Sequence, residues 1–142
     1  MFKKIIALGV LLIILSFAGC GCMNVSREFD LTDPKEYWKG NIDEDFNDDS
    51  VLIILRKTST FPELKLRHFR LDNAESLEYL TGVRPPDYFF KEEYQHLLVD
   101  YRQIVCIKLK QHGKEKVIDA IKQLEELDFV KRASPNHILG PA

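Results

Sequence analysis

Residues 101–133 constrain the fold of this chain most, because three segments with different hydrophobic periodicities follow one another there. The alternation over residues 101–110 predicts a β-strand, and the helical spacing of apolar side chains over residues 113–127 predicts an amphipathic helix. Residues 128–133 predict a short return strand, which Pro135 would break. The apolar faces consist of Val105, Ile107 and Leu109 in the strand and of Val117, Ala120, Ile121, Leu124 and Leu127 in the helix.

Four further segments complete the predicted elements. The continuous aliphatic run over residues 51–55 is typical of a central strand buried on both faces. Residues 66–71 alternate and predict a short edge strand, whereas Asn73 is a favourable cap for a helix over residues 74–80. A second helical stretch is predicted over residues 85–97 from three large side chains at helical spacing. These are Phe90, Tyr94 and Leu97.

This order of elements predicts an α+β fold in which helices pack on one face of a mixed or antiparallel sheet. The chain has 142 residues and is 45% hydrophobic, which is enough for the core of one small domain. We place that domain at residues 50–142. Residues 51–142 hold 13 acidic and 15 basic side chains, a balance that does not favour nucleic acid as a partner.

The first 19 residues are excluded from the fold, because they have the pattern of a secretory signal peptide. Lys3 and Lys4 precede an apolar run of about 15 residues, shorter than the roughly 20 residues that span a bilayer as a helix. An uncleaved N-terminal anchor is the alternative interpretation. The run ends in Leu15-Ser16-Phe17-Ala18-Gly19-Cys20.

This ending resembles the lipobox of bacterial lipoproteins. The resemblance implies cleavage after Gly19 and attachment of a diacylglyceryl group to Cys20, with palmitate among the acyl chains. Cys22 is a weaker alternative site. The mature protein would then be held by its lipid on the extracytoplasmic face of a bacterial membrane, as part of the cell envelope.

Residues 20–49 are predicted to be a flexible acidic tether between this anchor and the domain. Residues 23–50 hold nine acidic and three basic side chains and few aliphatic ones, so they can bury little apolar surface. Tyr37 and Trp38 are the exceptions and are candidates to dock on the domain.

The search for catalytic or metal-binding motifs yields no candidate. The sequence has no H-x-x-x-H pair, no G-x-S-x-G elbow and no glycine-rich phosphate loop. Residues 43–48 begin like a calcium loop, but Asp48 replaces its glycine and Ile54 stands where its bidentate glutamate belongs. We therefore expect no enzymatic activity, no bound metal and no cofactor. Cys106 is expected to be a free apolar residue, with a disulfide to Cys22 as the alternative in an oxidising compartment.

The last helix and strand resemble those of subtilisin-type propeptides and their stand-alone inhibitor relatives. The likeness lies in a helix that ends at Leu127, in Val130 at the start of the last strand, and in the Pro-Asn segment at residues 135–136. Residues 51–57 look like the first strand of that family, and residues 101–110 look like an inner strand.

This resemblance implies a ferredoxin-like plait whose sheet packs on a protease and whose tail fills the substrate cleft as a product. Carried over by position, the tail would end with Ala142 nearest the nucleophile. It consists of Leu139, Gly140, Pro141 and Ala142. The alternative is a frayed end over residues 135–142, with residues 137–139 packed on the sheet edge.

The sequence thus predicts a membrane-anchored lipoprotein that carries a small protein-binding domain. The partner suggested by the resemblance is a subtilisin-like serine protease, which the domain would inhibit or help to fold. The alternative is a structural or adhesive envelope lipoprotein that binds another surface protein and has no protease role.

Overall fold

A four-stranded antiparallel sheet lies at the centre of the computed structural model, which describes residues 25–98 and 101–137. The strands are β1 (Phe46–Leu55), β2 (Ala74–Tyr79), β3 (Ile104–Leu109) and β4 (Val130–His137), and the α-helices are α1 (Gln95–Leu98) and α2 (Lys114–Glu125). The order of strands across the sheet is β2-β3-β1-β4. The predicted α+β fold is therefore confirmed.

The topology is that of a ferredoxin-like plait. Every pair of neighbouring strands is antiparallel, so β1 and β2 run in the same direction with β3 between them. In the same way, β3 and β4 run parallel with β1 between them, and α2 makes the connection. The second of these is a split β-α-β unit, and the first has the same arrangement of strands. The connection from β1 to β2 has a single 3-10 helix, Leu66–Phe69, in place of a full α-helix.

The hydrophobic core lies between one face of the sheet and α2. The predicted apolar stripe of α2 is buried at Val117, Ala120, Ile121 and Leu124. From the sheet, the core receives Val51, Ile53 and Leu55 of β1 and Val105, Ile107 and Leu109 of β3, all fully buried. Each such side chain contributes about 1.5–3 kcal/mol when it leaves water. The helix over residues 113–127 and the strand over residues 101–110 were thus correctly predicted.

The expectation that β1 is buried on both faces is wrong. Its alternate residues Val51, Ile53 and Leu55 are fully buried, whereas Leu52 and Ile54 between them remain partly exposed. The physical reason is that α2 supplies a second layer on one side only, and an antiparallel sheet tolerates water on its other face.

The segment at residues 66–71 is not the predicted edge strand. It forms the 3-10 helix Leu66–Phe69, which Arg70 ends in the left-handed conformation with φ of 49°. The turn directs Phe69 into the core, where it is 1% exposed. Burial of this large ring therefore outweighs the weak alternation of its neighbours.

The segment at residues 74–80 is a strand and not the predicted helix. β2 pairs with β3, with Leu77 opposite Ile107 and Tyr79 opposite Val105. Asn73 does not cap a helix but joins two strands, because its side chain accepts a hydrogen bond from the Gln111 amide at 2.8 Å. The cross-strand contacts of Leu77 and Tyr79 thus outweigh the local preference of residues 74–80 for a helix.

The predicted second helix and the predicted end of the last strand also differ from the structure. Residues 85–97 form two 3-10 helices, Asp87–Phe90 and Glu92–Tyr94, followed by the single turn of α1. Pro135 does not break the last strand, since β4 continues to His137. β4 is an edge strand, where a residue without an N–H group is tolerated.

The predicted flexible tether is corrected for its described part, residues 25–49. β1 already begins at Phe46, and both Phe46 and Phe29 belong to the hydrophobic core. Trp38 packs against this core as predicted, whereas Tyr37 is 59% exposed. Despite its acidic composition, this stretch is held against β4 by the ion pair of the buried Asp33 with Lys131, and against α2 by the hydrogen bond from the Trp38 amide to Glu125.

Candidate functional site

Both predicted sites lie outside the residues that the structure describes. This applies to Cys20 and to the tail of Leu139, Gly140, Pro141 and Ala142, and also to Cys22, the residue that the alternative disulfide would join to Cys106. The structure does describe where these segments join the domain, at Val25 and at His137. Within the described residues, the candidate site consists of the contacts of His137 and of the sheet face opposite α2.

The junction with the tail is held by the first residue of β1. The His137 ring lies edge-on to the buried Phe46 ring, with 6.2 Å between the centroids. Its Nδ1 atom is 3.3 Å from the Asp45 carbonyl oxygen, and its Nε2 atom is 3.9 Å from a Glu44 carboxylate oxygen. These contacts define the point from which the tail continues.

The sheet face opposite α2 carries an apolar row across its two central strands, which we call the open sheet face. Leu52 lies opposite Cys106, and Ile54 lies opposite Ile104. Leu52, Ile54 and Ile104 are partly exposed and are not part of the core formed by the described residues. An apolar row of this kind is a suitable surface for another protein.

Charged residues of both signs surround this row. Glu78 of β2 lies opposite Cys106, and Arg132 of β4 lies opposite Ile54. A shallow depression of about 470 Å³ opens beside the row. It is lined by Asn47, Asp48, Asp49, Ser50, Leu52, Glu78, Leu80, Cys106, Lys108 and Asn136. An apolar centre with a charged rim is the usual composition of a transient protein interface.

Cys106 lies in the middle of the open sheet face as a free thiol that is 8% exposed. Burial raises the pKa of this thiol, and the nearby Glu78 and Asp49 carboxylates raise it further. A thiol of this kind is a poor nucleophile, because the thiolate is the reactive species. The residue therefore contributes apolar surface here and not covalent chemistry.

We expect Cys106 to react far more slowly with an aromatic disulfide reagent at pH 8 in the folded chain than in urea. Burial limits access, and the raised pKa lowers the thiolate fraction. The measurement uses the Cys20→Ser, Cys22→Ser variant, in which Cys106 is the remaining cysteine of three. Glutathione, measured under the same two conditions, corrects for the effect of urea on the reagent. Equal corrected rates would contradict the burial of Cys106.

The acidic residues of the calcium-loop-like stretch serve local turns. Glu44 accepts a hydrogen bond from the Asn41 amide at 2.8 Å, and the Asp43 amide donates to the Asn41 side chain at 3.3 Å. Within residues 25–98 and 101–137, no three His, Cys, Asp or Glu side chains come together as metal ligands.

A buried charge cluster around Asp33 was missed by the sequence reasoning, which placed this residue in the tether. The Asp33 side chain is 4% exposed and forms ion pairs with Arg102 and with Lys131. It also accepts a hydrogen bond from the Lys57 amide at 3.0 Å. The cluster ties residues 25–45, the N-terminal segment, to β4, to the residue pair that precedes β3 and to the residues that follow β1. No signal in the sequence separates Asp33 from its acidic neighbours.

The connection between β2 and β3 carries a second feature that the sequence reasoning missed. Its predicted apolar helix face does not point into the core, because Phe90 is 40% exposed and Tyr94 is 38% exposed. The connection is attached to the domain through Phe89, whose ring lies 5.8 Å from that of Tyr101. Gln103 strengthens the attachment by donating a hydrogen bond to the Val83 carbonyl oxygen at 2.7 Å.

No helix in the described part of the chain is long and apolar enough to cross a membrane. No protein-family model matches the chain, and no curated protein or solved structure was found to be similar to it.

Proposed function

We propose that this chain is a bacterial lipoprotein, anchored through Cys20 on the extracytoplasmic face of a membrane, whose domain binds another protein. The proposed partner is a subtilisin-like serine protease, which the domain inhibits or helps to fold. The observation that carries the proposal is the open sheet face of a ferredoxin-like plait whose last strand leads into the C-terminal tail.

The strand order supports this proposal at the level of the fold. The resemblance of the last helix and strand to subtilisin-type propeptides implies a ferredoxin-like plait that uses its sheet to pack on the protease. The sheet of this chain has that topology, with α2 on one face and the apolar row of Leu52, Ile54 and Ile104 on the other. The face that the resemblance assigns to the partner is thus the face that α2 leaves uncovered.

The point at which the last strand ends supports the same proposal. His137 ends β4 beside Phe46, and the chain continues for five more residues. Five extended residues reach at most about 18 Å, which is enough to enter a neighbouring cleft while the sheet remains docked. An extended tail binds by backbone hydrogen bonds along a strand edge, with alternate side chains in pockets. Leu139 and Ala142 are apolar and small enough for such pockets.

Inhibition assays with a panel of subtilisin-like proteases test the proposal. The chain from residue 20 onward, with Cys20→Ser, is expected to slow peptide hydrolysis in a saturable manner. Deletion of residues 139–142 is expected to abolish inhibition and leave the melting temperature unchanged, because the last core residue among those described is Ala133. The tested chain has to include residues 25–49, since Phe29 and Phe46 are core residues.

The contribution of the open sheet face is tested by Ile54→Glu, with Ile118→Glu on α2 as a matched control. Both isoleucines are partly exposed, but they lie on opposite layers of the domain. We expect Ile54→Glu to weaken inhibition by at least about tenfold, as for a central interface residue, and Ile118→Glu to leave it unchanged. Rapid digestion without inhibition would contradict the protease role, and capture of an envelope protein instead would favour a structural or adhesive lipoprotein.

A further inference from the structure

We propose that the connection between β2 and β3 carries a membrane-contact surface that rests on the bilayer in which Cys20 is anchored. This aromatic surface consists of Tyr88, Phe90, Tyr94 and Leu97. The inference rests on the proposed lipid anchor, and it adds a second attachment and an orientation of the domain.

The aromatic surface is exposed but has a defined internal packing. Its four side chains are between 38% and 49% exposed, although all are large and apolar or aromatic. The Tyr88 and Tyr94 rings pack edge to face at 5.9 Å, and the Arg84 guanidinium lies over the Phe90 ring at 4.9 Å. A contiguous exposed apolar patch is typical of a site that contacts another protein or a membrane.

The aromatic surface lies on the same side of the domain as the N-terminal junction. A groove of about 600 Å³ has Arg27, Glu28 and Phe29 among its lining residues, together with Phe90 and Leu98 of the connection. The 3-10 helix Val25–Glu28 is thus a neighbour of the connection and not of the opposite end of the sheet.

The length of chain between the anchor and the domain leaves little freedom. Cys20 precedes Val25 by five residues, which span at most about 18 Å when fully extended. A diacylglyceryl group on Cys20 would therefore bring the end of the domain that carries Phe90 and Leu98 to the membrane surface. The interfacial region of the bilayer would then be in contact with the exposed aromatic side chains.

The chemistry of the connection suits a bilayer interface. Tyrosine combines an apolar ring with a polar hydroxyl and concentrates at the boundary between lipid and water. Residues 84–98 hold two basic and three acidic side chains, so attraction to anionic lipid is not the main force. The basic residues are Arg84 and Lys91, and the acidic ones are Asp87, Glu92 and Glu93. Burial of apolar area would hold the surface on zwitterionic lipid as well.

This orientation has a consequence for the tail. β1 ends on the side of the connection, because Leu55 donates its amide hydrogen bond to the Gln103 carbonyl oxygen at 3.0 Å. β4 is antiparallel to β1 and ends beside Phe46 at the other end. The tail would then leave the domain on the side away from the bilayer, where a partner in solution has access to it.

Fluorescence quenching by brominated lipid tests the aromatic surface. The chain from residue 20 onward, with Cys22→Ser and Cys106→Ala, is coupled through the Cys20 thiol to a maleimide lipid in phosphatidylcholine vesicles. In a Trp38→Phe background, Tyr94→Trp and Leu97→Trp place a probe on the aromatic surface. His112→Trp is the control, because this exposed residue follows β3 at the opposite end of the sheet from Tyr101.

We expect brominated lipid to remove most of the emission of the Tyr94→Trp and Leu97→Trp probes and to leave that of His112→Trp unchanged. Absence of quenching at both surface positions, or equal quenching at all three, would overturn the inference. Chemical coupling makes this result independent of natural lipidation, which the intact mass of the protein purified from bacterial membranes reports separately. An unmodified Cys20 in that protein would contradict the proposed anchor and not the affinity of the surface for lipid.

Discussion

Replacement of Asp33 by alanine is expected to lower the free energy of unfolding by about 3 kcal/mol, in the range for breaking a buried ion pair. The substitution leaves the Arg102 guanidinium and the Lys131 ammonium group close together without their shared carboxylate, and the side chains of both are largely buried. It also removes the acceptor for the Lys57 amide. Urea unfolding followed by circular dichroism measures the loss.

Asp43→Ala is the matched control, because Asp43 is an exposed aspartate in the same acidic segment. Its replacement is expected to change the free energy of unfolding by no more than about 0.5 kcal/mol. An Asp33→Ala variant as stable as this control would mean that the charge cluster does not hold the N-terminal segment.

The same cluster predicts how the stability difference depends on pH. Burial alone would raise the pKa of the Asp33 carboxyl, but hydrogen bonds from Lys131 and the Lys57 amide, with the charge of Arg102, hold it below its ordinary value. Because the pKa is lower in the folded state, the stabilisation is fully present above the unfolded value of about 3.9. It is lost as the pH falls through the folded pKa. The difference between the wild type and Asp33→Asn should therefore be constant near neutral pH and shrink below about pH 4.

The sequence predicted the fold well where one periodicity dominates a segment. The stripe from Val117 to Leu124 and the alternation from Val105 to Leu109 are both complete, and both elements formed as expected. β2 could not be predicted in the same way, because Leu77 and Tyr79 become a partly buried apolar face only when β3 lies beside them. Their register depends on a partner about 30 residues away along the chain, which no local pattern contains.

Less of the candidate site than of the fold could be predicted from the sequence. The tail and Cys20 were proposed from motifs and remain predictions, but the open sheet face depends on α2 covering one side of β1 only, which the aliphatic run at residues 51–55 does not indicate. The aromatic surface was misread for a related reason. Helical spacing of Phe90 and Tyr94 describes a common face but does not say whether that face meets a core, water or lipid.

Replacement of Phe29 by alanine is expected to lower the free energy of unfolding by about 3 kcal/mol, as for other buried phenylalanines. The Phe29 ring is 6% exposed and lies 5.6 Å from the Phe129 ring, which in turn lies 5.5 Å from Phe69. Its loss would leave a cavity between the N-terminal segment and the core. Tyr37→Ala is the control, since this aromatic residue of the same segment is 59% exposed and should contribute no more than about 0.5 kcal/mol.

The comparison of Phe29→Ala with Tyr37→Ala also determines how far the domain stands from its proposed anchor. If Phe29 is docked, only residues 21–24 separate Cys20 from Val25, and the proposed anchor holds the aromatic surface at the bilayer. If both variants are equally stable, Phe29 is not docked, and the chain from Cys20 to the ion pairs of Asp33 could extend to about 45 Å. The domain would then move freely above the membrane, and contact between Tyr94 and lipid would require an affinity of its own. A loss of stability confined to Phe29→Ala is the result that the packing of Phe29 on Phe129 predicts.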